Sequence, residues 1–341
     1  MVLHPAQADP VLTVNIYAGG MLDDLLRTFV ANLASLLKSC DVPQVSMLWV
    51  IRYSRRGEHL KLRLHGPKGE EQSRLRDMLT EQLEQFVKSH RHLPPVPRPI
   101  PAKLIPAIDP EDELDGLAVD RTYLWTSYRR SAVSFPGDPW LSDDVFIANA
   151  CNCLAQGCEL VLDALRDNPV WPLVARQKLL LIAVLAALRS RAHHYSSRDI
   201  QYVRYHRDWL VRFSIPDATN HQRLLDRFDE SATRMSAAIQ QVDRSLCGTG
   251  PESLPKCLVP WSRSISQFAA YNEQFQGSVK CGIDSFTSDI TFPPTFKVLH
   301  GLANQIGLTL LEEAYVYHLM DCALTRRLCA SSAKVEMGAA F

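Results

Sequence analysis

Hydrophobic and polar positions change their period along this chain, and those changes mark out its elements. Residues 11–17, VLTVNIY, alternate and are rich in β-branched side chains, the pattern of a strand. Over 21–37 the apolar residues Leu22, Leu25, Leu26, Phe29, Val30, Leu33, Leu36 and Leu37 recur at helical spacing. Asp23 and Asp24 fall in the first turn of that helix, where the helix dipole favours acids. Two extended segments follow, 45–53 and 58–65, joined by a short hairpin-like turn over 54–57. A charged helix over 69–90 completes a β-α-β-β-α opening.

Residues 91–110 carry seven prolines, too many for a helix or a central strand, so a linker or surface arm is expected there. Another extended segment spans 121–135. From 142 onward the period is helical, over 142–166, 171–195, 198–213 and 217–246. Gly and Pro interrupt the pattern over 248–260, and helices resume over 261–278, 293–305 and 309–328. With no internal repeat, the expectation is one α+β domain over 1–341. Its N-terminal sheet (11–135) would pack on a mainly helical remainder (142–328).

Composition then removes several function classes. Lys+Arg and Asp+Glu both number 37, so no global positive field would draw nucleic acid or an anionic membrane. The start of the chain lacks a basic segment followed by a long apolar run, and the most apolar stretch, 179–188, is about half a bilayer span. It reads as a buried helix. Nine scattered cysteines without a secretion signal suit reduced thiols and a cytoplasmic location. Cys151, Cys153 and Cys158 are close enough to test as metal ligands. No second cluster accompanies them, so core packing is the reading and no metal is expected.

The densest polar chemistry lies over 49–66, where Arg52, Arg55, Arg56, Lys61 and Arg63 face a single acid, Glu58. On a strand, His59, Lys61, Arg63 and His65 alternate with Leu60, Leu62 and Leu64. The leucines would face the core, leaving one polar row. That row is either a solvated sheet face or a surface for binding carboxylates and carbonyl oxygens. Farther on, Tyr205 and Asp208 share one face of a helix, as do Tyr202 and His206. His206 reads as a packed histidine or, with Tyr205 and Asp208, as part of a proton-transfer group. His193 and His194 suit charge complementation at a helix C-terminus. Arg129 and Arg130 are a solvated pair or a peptide contact.

Several of these blocks resemble one known family in order along the chain. Trp49, Ile51-Arg52-Tyr53 and then His59-Leu60-Lys61-Leu62-Arg63 are similar to its aromatic-led strand, short turn and H-L-R-L-R hallmark. Ser127 to Ser131, Asp138-Pro139-Trp140, Asp143-Asp144 and Gly157 to Leu162 form a second block. Leu299-His300-Gly301-Leu302-Ala303-Asn304-Gln305-Ile306-Gly307-Leu308, then Glu312-Glu313-Ala314-Tyr315, resembles an H-x-x-x-N-R-x-G-L…E-E-A-Y block. The family is that of the C-terminal elimination domain of class I lantibiotic dehydratases. Within it, the second block resembles the thiopeptide pyridine synthases. Lys61 and Gln305 stand where arginine is usual, so an arginine's role is not carried over to either.

The resemblance implies a peptide macrocyclase. It would act on a leader-bearing ribosomal precursor containing dehydroalanines and azoles, with room for partner biosynthetic enzymes. A formal four-plus-two aza-cycloaddition would join two dehydroalanines. Loss of water and of the leader as its amide would then give a pyridine. No cofactor is implied; the chemistry asks for positioning and proton transfer. His300, Asn304 and Gln305 are the expected catalytic group, with Asp208 and Tyr205 or His206 as acid/base partner. Arg52, His59, Lys61, Arg63, Arg129 and Arg130 are expected to hold substrate, and Tyr317 to form an aromatic wall or simply to pack. Two alternatives stand beside this: glutamate elimination from glutamylated Ser or Thr, and a non-catalytic leader-binding module.

Overall fold

The computed structural model describes residues 11–18, 21–39, 45–53, 59–66, 69–89, 122–127, 144–168, 170–191, 196–215, 218–246, 255–276 and 294–338. The fold is α+β, and the described residues cluster into two compact units. The first holds strands β1 (Val11–Tyr17), β2 (Met47–Tyr53), β3 (His59–His65) and β4 (Thr122–Ser127). Its helices are α1 (Leu22–Asp24), α2 (Ala31–Ser39), α3 (Glu70–Ser89) and α4 (Asp144–Asp167). A π-helical stretch, Leu25–Val30, joins α1 to α2 and turns Leu25, Leu26, Phe29 and Val30 all inward. The Pro-rich segment 91–110, the hairpin turn 54–57, and Arg129 and Arg130 lie outside the described residues.

The sheet is antiparallel, in the order β2-β3-β1-β4. Pairing sets Thr13, Asn15 and Tyr17 beside Arg63, Lys61 and His59, and Trp49 and Ile51 beside Arg63 and Lys61. One face is therefore Val14, Leu62 and Val50, and the other carries the polar row. Arg76 of α3 stacks over Trp125 at 5.1 Å, which places α3 on the leucine face. Leu75, Leu79 and Leu83 are the buried apolar stripe of that helix.

Of the two readings of the polar row, burial rules out a solvated face. His59, Lys61 and Arg63 are only 2%, 1% and 2% exposed, while Leu60, Leu62 and Leu64 are equally buried. The alternation is real, but β3 is a central strand with both faces covered, so its period separates chemistry rather than inside from outside. His65, at the strand end, is half-buried and bonds the Ser46 hydroxyl at 2.8 Å. Arg52 does not join the row. It pairs with Leu60, on the leucine face, and its guanidinium donates to Asp23 of α1 at 2.7 Å.

Helix α4 runs along β2, the edge strand among the described residues, and the Val50 backbone N–H donates to the Cys158 sulfur. Among the described residues one helical segment, Val145–Arg166, is long and apolar enough to cross a membrane. Its Phe146, Ala150, Leu154 and Val161 are core residues. Cys151, Cys153 and Cys158 are buried with them, and burial pushes the Cys158 thiol up to about 12 and Cys153 higher still. Neutral, buried thiols pack like small apolar groups.

The second unit holds α5 (Leu173–Arg191), α6 (Ser197–Ser214), α7 (Ala218–Leu246), α8 (Leu258–Gln276), α9 (Pro294–Ile306) and α10 (Leu310–Gly338). As expected, residues 179–188 are a buried helix, every one of them under a tenth exposed. Helix α6 begins at a capping box in which the Ser196 and Asp199 side chains bond each other's backbone. Helix α8 starts earlier than expected and contains Pro260. In the first turn, where a backbone N–H has no helical partner, the ring costs no hydrogen bond. Helix α10 runs ten residues past the expected end.

Candidate active site

The block around residue 307 builds a tight corner from two local signals. Gly307 takes φ +84°, and the N–H groups of Gly307 and Leu308 both donate to the Ala303 carbonyl, closing α9. Thr309 then opens α10. Its hydroxyl accepts from the Glu312 N–H at 3.3 Å, and Glu312 accepts from the Thr309 N–H at 2.8 Å. Arg176 donates, at long range, to the carbonyls of Ile306 and Gly307 at 3.5 and 3.4 Å. The chain thereby doubles back, and His300 on α9 meets Glu313 on α10.

His300 Nδ1 lies 2.7 Å from Glu313 Oε2. The carboxylate is 1% exposed and the imidazole side chain 30% exposed, and Glu313 engages Nδ1 rather than Nε2. Burial alone would lower the pKa of His300, but the charge and hydrogen bond of Glu313 outweigh it and the net direction is up. Glu313 is itself raised, by burial, with His300 opposing. The charge and hydrogen bond between them favour the charged form of each partner against the cost of burial.

Helix α6 presents Tyr202, His206 and Trp209 at i, i+4 and i+7 to this pair. His206 is 0% exposed, with ring contacts to Tyr202 at 4.0 Å, Phe296 at 4.1 Å and Tyr317 at 5.1 Å. Both its nitrogens are buried without a hydrogen bond. Phe296 lies parallel to His300 at 5.9 Å, and Trp209 meets the His300 ring edge-on at 6.5 Å. The Tyr202 hydroxyl donates to Thr295 at 3.1 Å. Tyr317 is fully buried, and its hydroxyl is pushed well up, by burial and then by the negative charge of Glu313.

The other expected members divide. Asn304 shares the His300 face of α9, while Gln305 is buried about 140° round the helix from His300. Tyr205 is half-buried with its ring 6.1 Å from His206, and burial raises its hydroxyl pKa. Asp208 is engaged elsewhere: it accepts from Arg207 at 2.8 Å. Arg207 also donates to Asp321 at 2.7 Å, and Arg204 grips Asp321 through both oxygens at 2.8 and 2.9 Å. This lattice ties α6 to α10. The strand residues His59, Lys61 and Arg63 belong to the first unit, and the His300 group to the second.

Sequence reasoning missed two residues here. Glu313 was visible only as part of a motif. Its signal was the corner itself, since a glycine stop and a T-x-x-E start between two helices bring flanking turns together. Lys297, one turn before His300, has its amine pKa lowered to about 7 by burial. The signal for it was its spacing, three residues before His300 and seven before Asn304 on the same polar face of α9.

His206 gives a pH prediction. Burial, then the charge of His300, holds its pKa well below the ordinary 6.5. The unfolded chain takes up a proton there near that value and the folded chain does not. Stability is therefore full above about pH 6.5 and falls as the pH drops below it. His300 has the opposite sign, stabilising at low pH and losing its contribution as pH rises through its raised pKa. His206→Phe removes only the first effect. Urea unfolding of the variant should show a flatter loss of stability between about pH 7 and 5 than the wild-type chain. An unchanged slope would refute the assignment.

By sequence, no protein-family model and no curated protein matches the chain. Its fold is shared with solved structures. One is a pyridine synthase, TbtD, from thiomuracin biosynthesis, with a TM-score of 0.63 and 17% identity over 92% of this chain and 97% of that one. A second is TsrL, with a TM-score of 0.58 and 11% identity over 93% and 94% of the two chains. A third is the tRNA-dependent lantibiotic dehydratase MibB from Microbispora sp. 107891, with a TM-score of 0.55 and 14% identity. That match covers 97% of this chain but only 29% of MibB.

Proposed function

We propose that this protein is a macrocyclase of thiopeptide maturation. It joins two dehydroalanines of a leader-bearing, azole-containing precursor peptide by formal four-plus-two aza-cycloaddition. Loss of water and of the leader amide then yields a pyridine. The observation that carries this reading is the near end-to-end likeness in fold to the pyridine synthase TbtD. MibB, by contrast, is matched over less than a third of its length.

The His300 group supplies chemistry that the reaction needs. With Glu313 fixing Nδ1, Nε2 of His300 can donate a proton to a departing oxygen and recover one when the amide tautomerises. Trp209 and Phe296 pack beside that partly exposed ring and line the space around it with apolar surface. Glu313 acts through His300 and is a positioning residue.

Glutamate elimination remains the second reading, because Lys61 and Arg63 concentrate positive charge on one buried sheet face. Incubation separates the two. With a dehydrated, azole-bearing precursor, mass spectrometry should show a cyclised product and an intact leader amide. Ring-free dehydroalanine formed from a glutamylated peptide, with no cyclisation of the first substrate, would overturn the proposal.

A further inference from the structure

Away from the His300 group, three side chains of different chemistry converge on one point. His318 and Cys322 are one turn apart on α10, and Asp229 faces them from α7. His318 Nε2 lies 2.9 Å from Asp229 Oδ1 and 3.6 Å from Cys322 Sγ, and Sγ lies 3.8 Å from the same Asp229 oxygen. Packing fixes the arrangement. The Phe228 ring, next to Asp229, contacts Tyr315 at 5.0 Å and His318 at 5.5 Å.

From this geometry we infer that Asp229, His318 and Cys322 form a binding site for a zinc-class divalent ion. Zinc bonds to sulfur, imidazole nitrogen and carboxylate oxygen are about 2.3, 2.0 and 2.1 Å, so tetrahedral ligand atoms stand roughly 3.4–3.6 Å apart. The two sulfur distances already fit within a few tenths of an ångström. The histidine–carboxylate pair, hydrogen-bonded in the metal-free chain, opens by roughly half an ångström to admit the ion. A thiolate and an imidazole select zinc or a neighbouring transition metal over magnesium or calcium.

The same residues do not form a nucleophilic triad. Such a triad uses both ring nitrogens, one toward the thiol and one toward the acid. Here the thiol and the carboxylate both approach Nε2. Convergence on one atom suits a shared ion. The His318 side chain is 4% exposed and that of Asp229 65%, so the three ligands close the buried side and leave a fourth position toward solvent. A water molecule or a donor atom from a peptide could occupy it. Arg207 and Arg326 lie within electrostatic range, with Asp321 beside them. Arg207 is already held by Asp321 and Asp208, which limits its repulsion of a cation. Bound there, the ion would pin α7 to α10.

The test uses the untagged full chain, stripped with chelator, dialysed and titrated with zinc sulfate. The wild-type chain should keep about one equivalent after desalting and unfold at a higher temperature when loaded. Cobalt substitution should give a thiolate charge-transfer band. Cys322→Ser changes one atom and should bind zinc more weakly by at least the roughly 100-fold that loss of an outer-shell partner can cost, with no such band. Asp229→Ala with Cys322→Ser should hold none, with circular dichroism confirming that both variants stay helical. No stoichiometric zinc in the wild-type chain would overturn the inference, as would equal zinc in the double variant. Cyclisation activity is not the readout, so the result stands apart from the proposed function.

Discussion

Replacing His300 by alanine should lower the rate of pyridine formation by about 10²- to 10⁴-fold, the usual contribution of a positioned acid–base group. The affinity for the precursor peptide should stay within about twofold, because the side chain is argued to act on protons rather than on binding. Single-turnover kinetics followed by mass spectrometry, with fluorescence anisotropy for binding, give both values. Glu313→Gln refines the test. It keeps the shape of the buried side chain while removing the charge that raises His300. If the imidazolium donates the proton, activity is present below the His300 pKa and lost as pH rises through it. The glutamine variant should move that limb to lower pH. Full activity in His300→Ala would remove this dyad from the mechanism.

The largest effect on stability is expected at Asp321. Its carboxylate, 8% exposed, receives Arg204 through both oxygens and Arg207 through one, and Thr325 adds a bond at 3.1 Å. Breaking a buried ion pair by removing one partner costs about 3–5 kcal/mol. Arg204 is 48% exposed and can turn to water, which reduces the loss. Asp321→Ala should therefore destabilise the chain by about 2–4 kcal/mol in urea unfolding. Asp321→Asn, which keeps an acceptor, should fall between. Cyclisation well below the unfolding temperature should persist, since the lattice holds helices together and does not touch the His300 pair. A change under about 0.5 kcal/mol would mean that the lattice contributes nothing beyond ordinary surface ion pairs.

Much of this site was legible locally. A helix over 293–305 and another over 309–328 followed from apolar spacing, and both are present as α9 and α10. The glycine between them takes the left-handed backbone that a helix stop requires. His300 and Asn304, four apart, share a face as expected. Asp208 was read with Tyr205 because both lie on one side of α6. That reading could not register the adjacent arginine, whose own partner is on α10, 114 residues away.

The β3 strand shows the same boundary between local and tertiary information. Its alternation separated His59, Lys61 and Arg63 from the leucines, and the structure keeps that separation. Which face was covered could not be read there. Both faces are buried, and the register of β2 sets Arg52 on the opposite side from the polar row.

The sequence by itself determined most of the elements, their order and the two sides of β3. These depend on backbone sterics and on side chains within a few residues of one another. Tertiary structure alone decided that His300 is held by Glu313, that Asp208 is engaged by Arg207, and that Asp229 meets His318 and Cys322. Those pairings join helices, or select one partner among several on the same helix. They are set by how packed faces come together, and periodicity within an element carries no record of what lies against it.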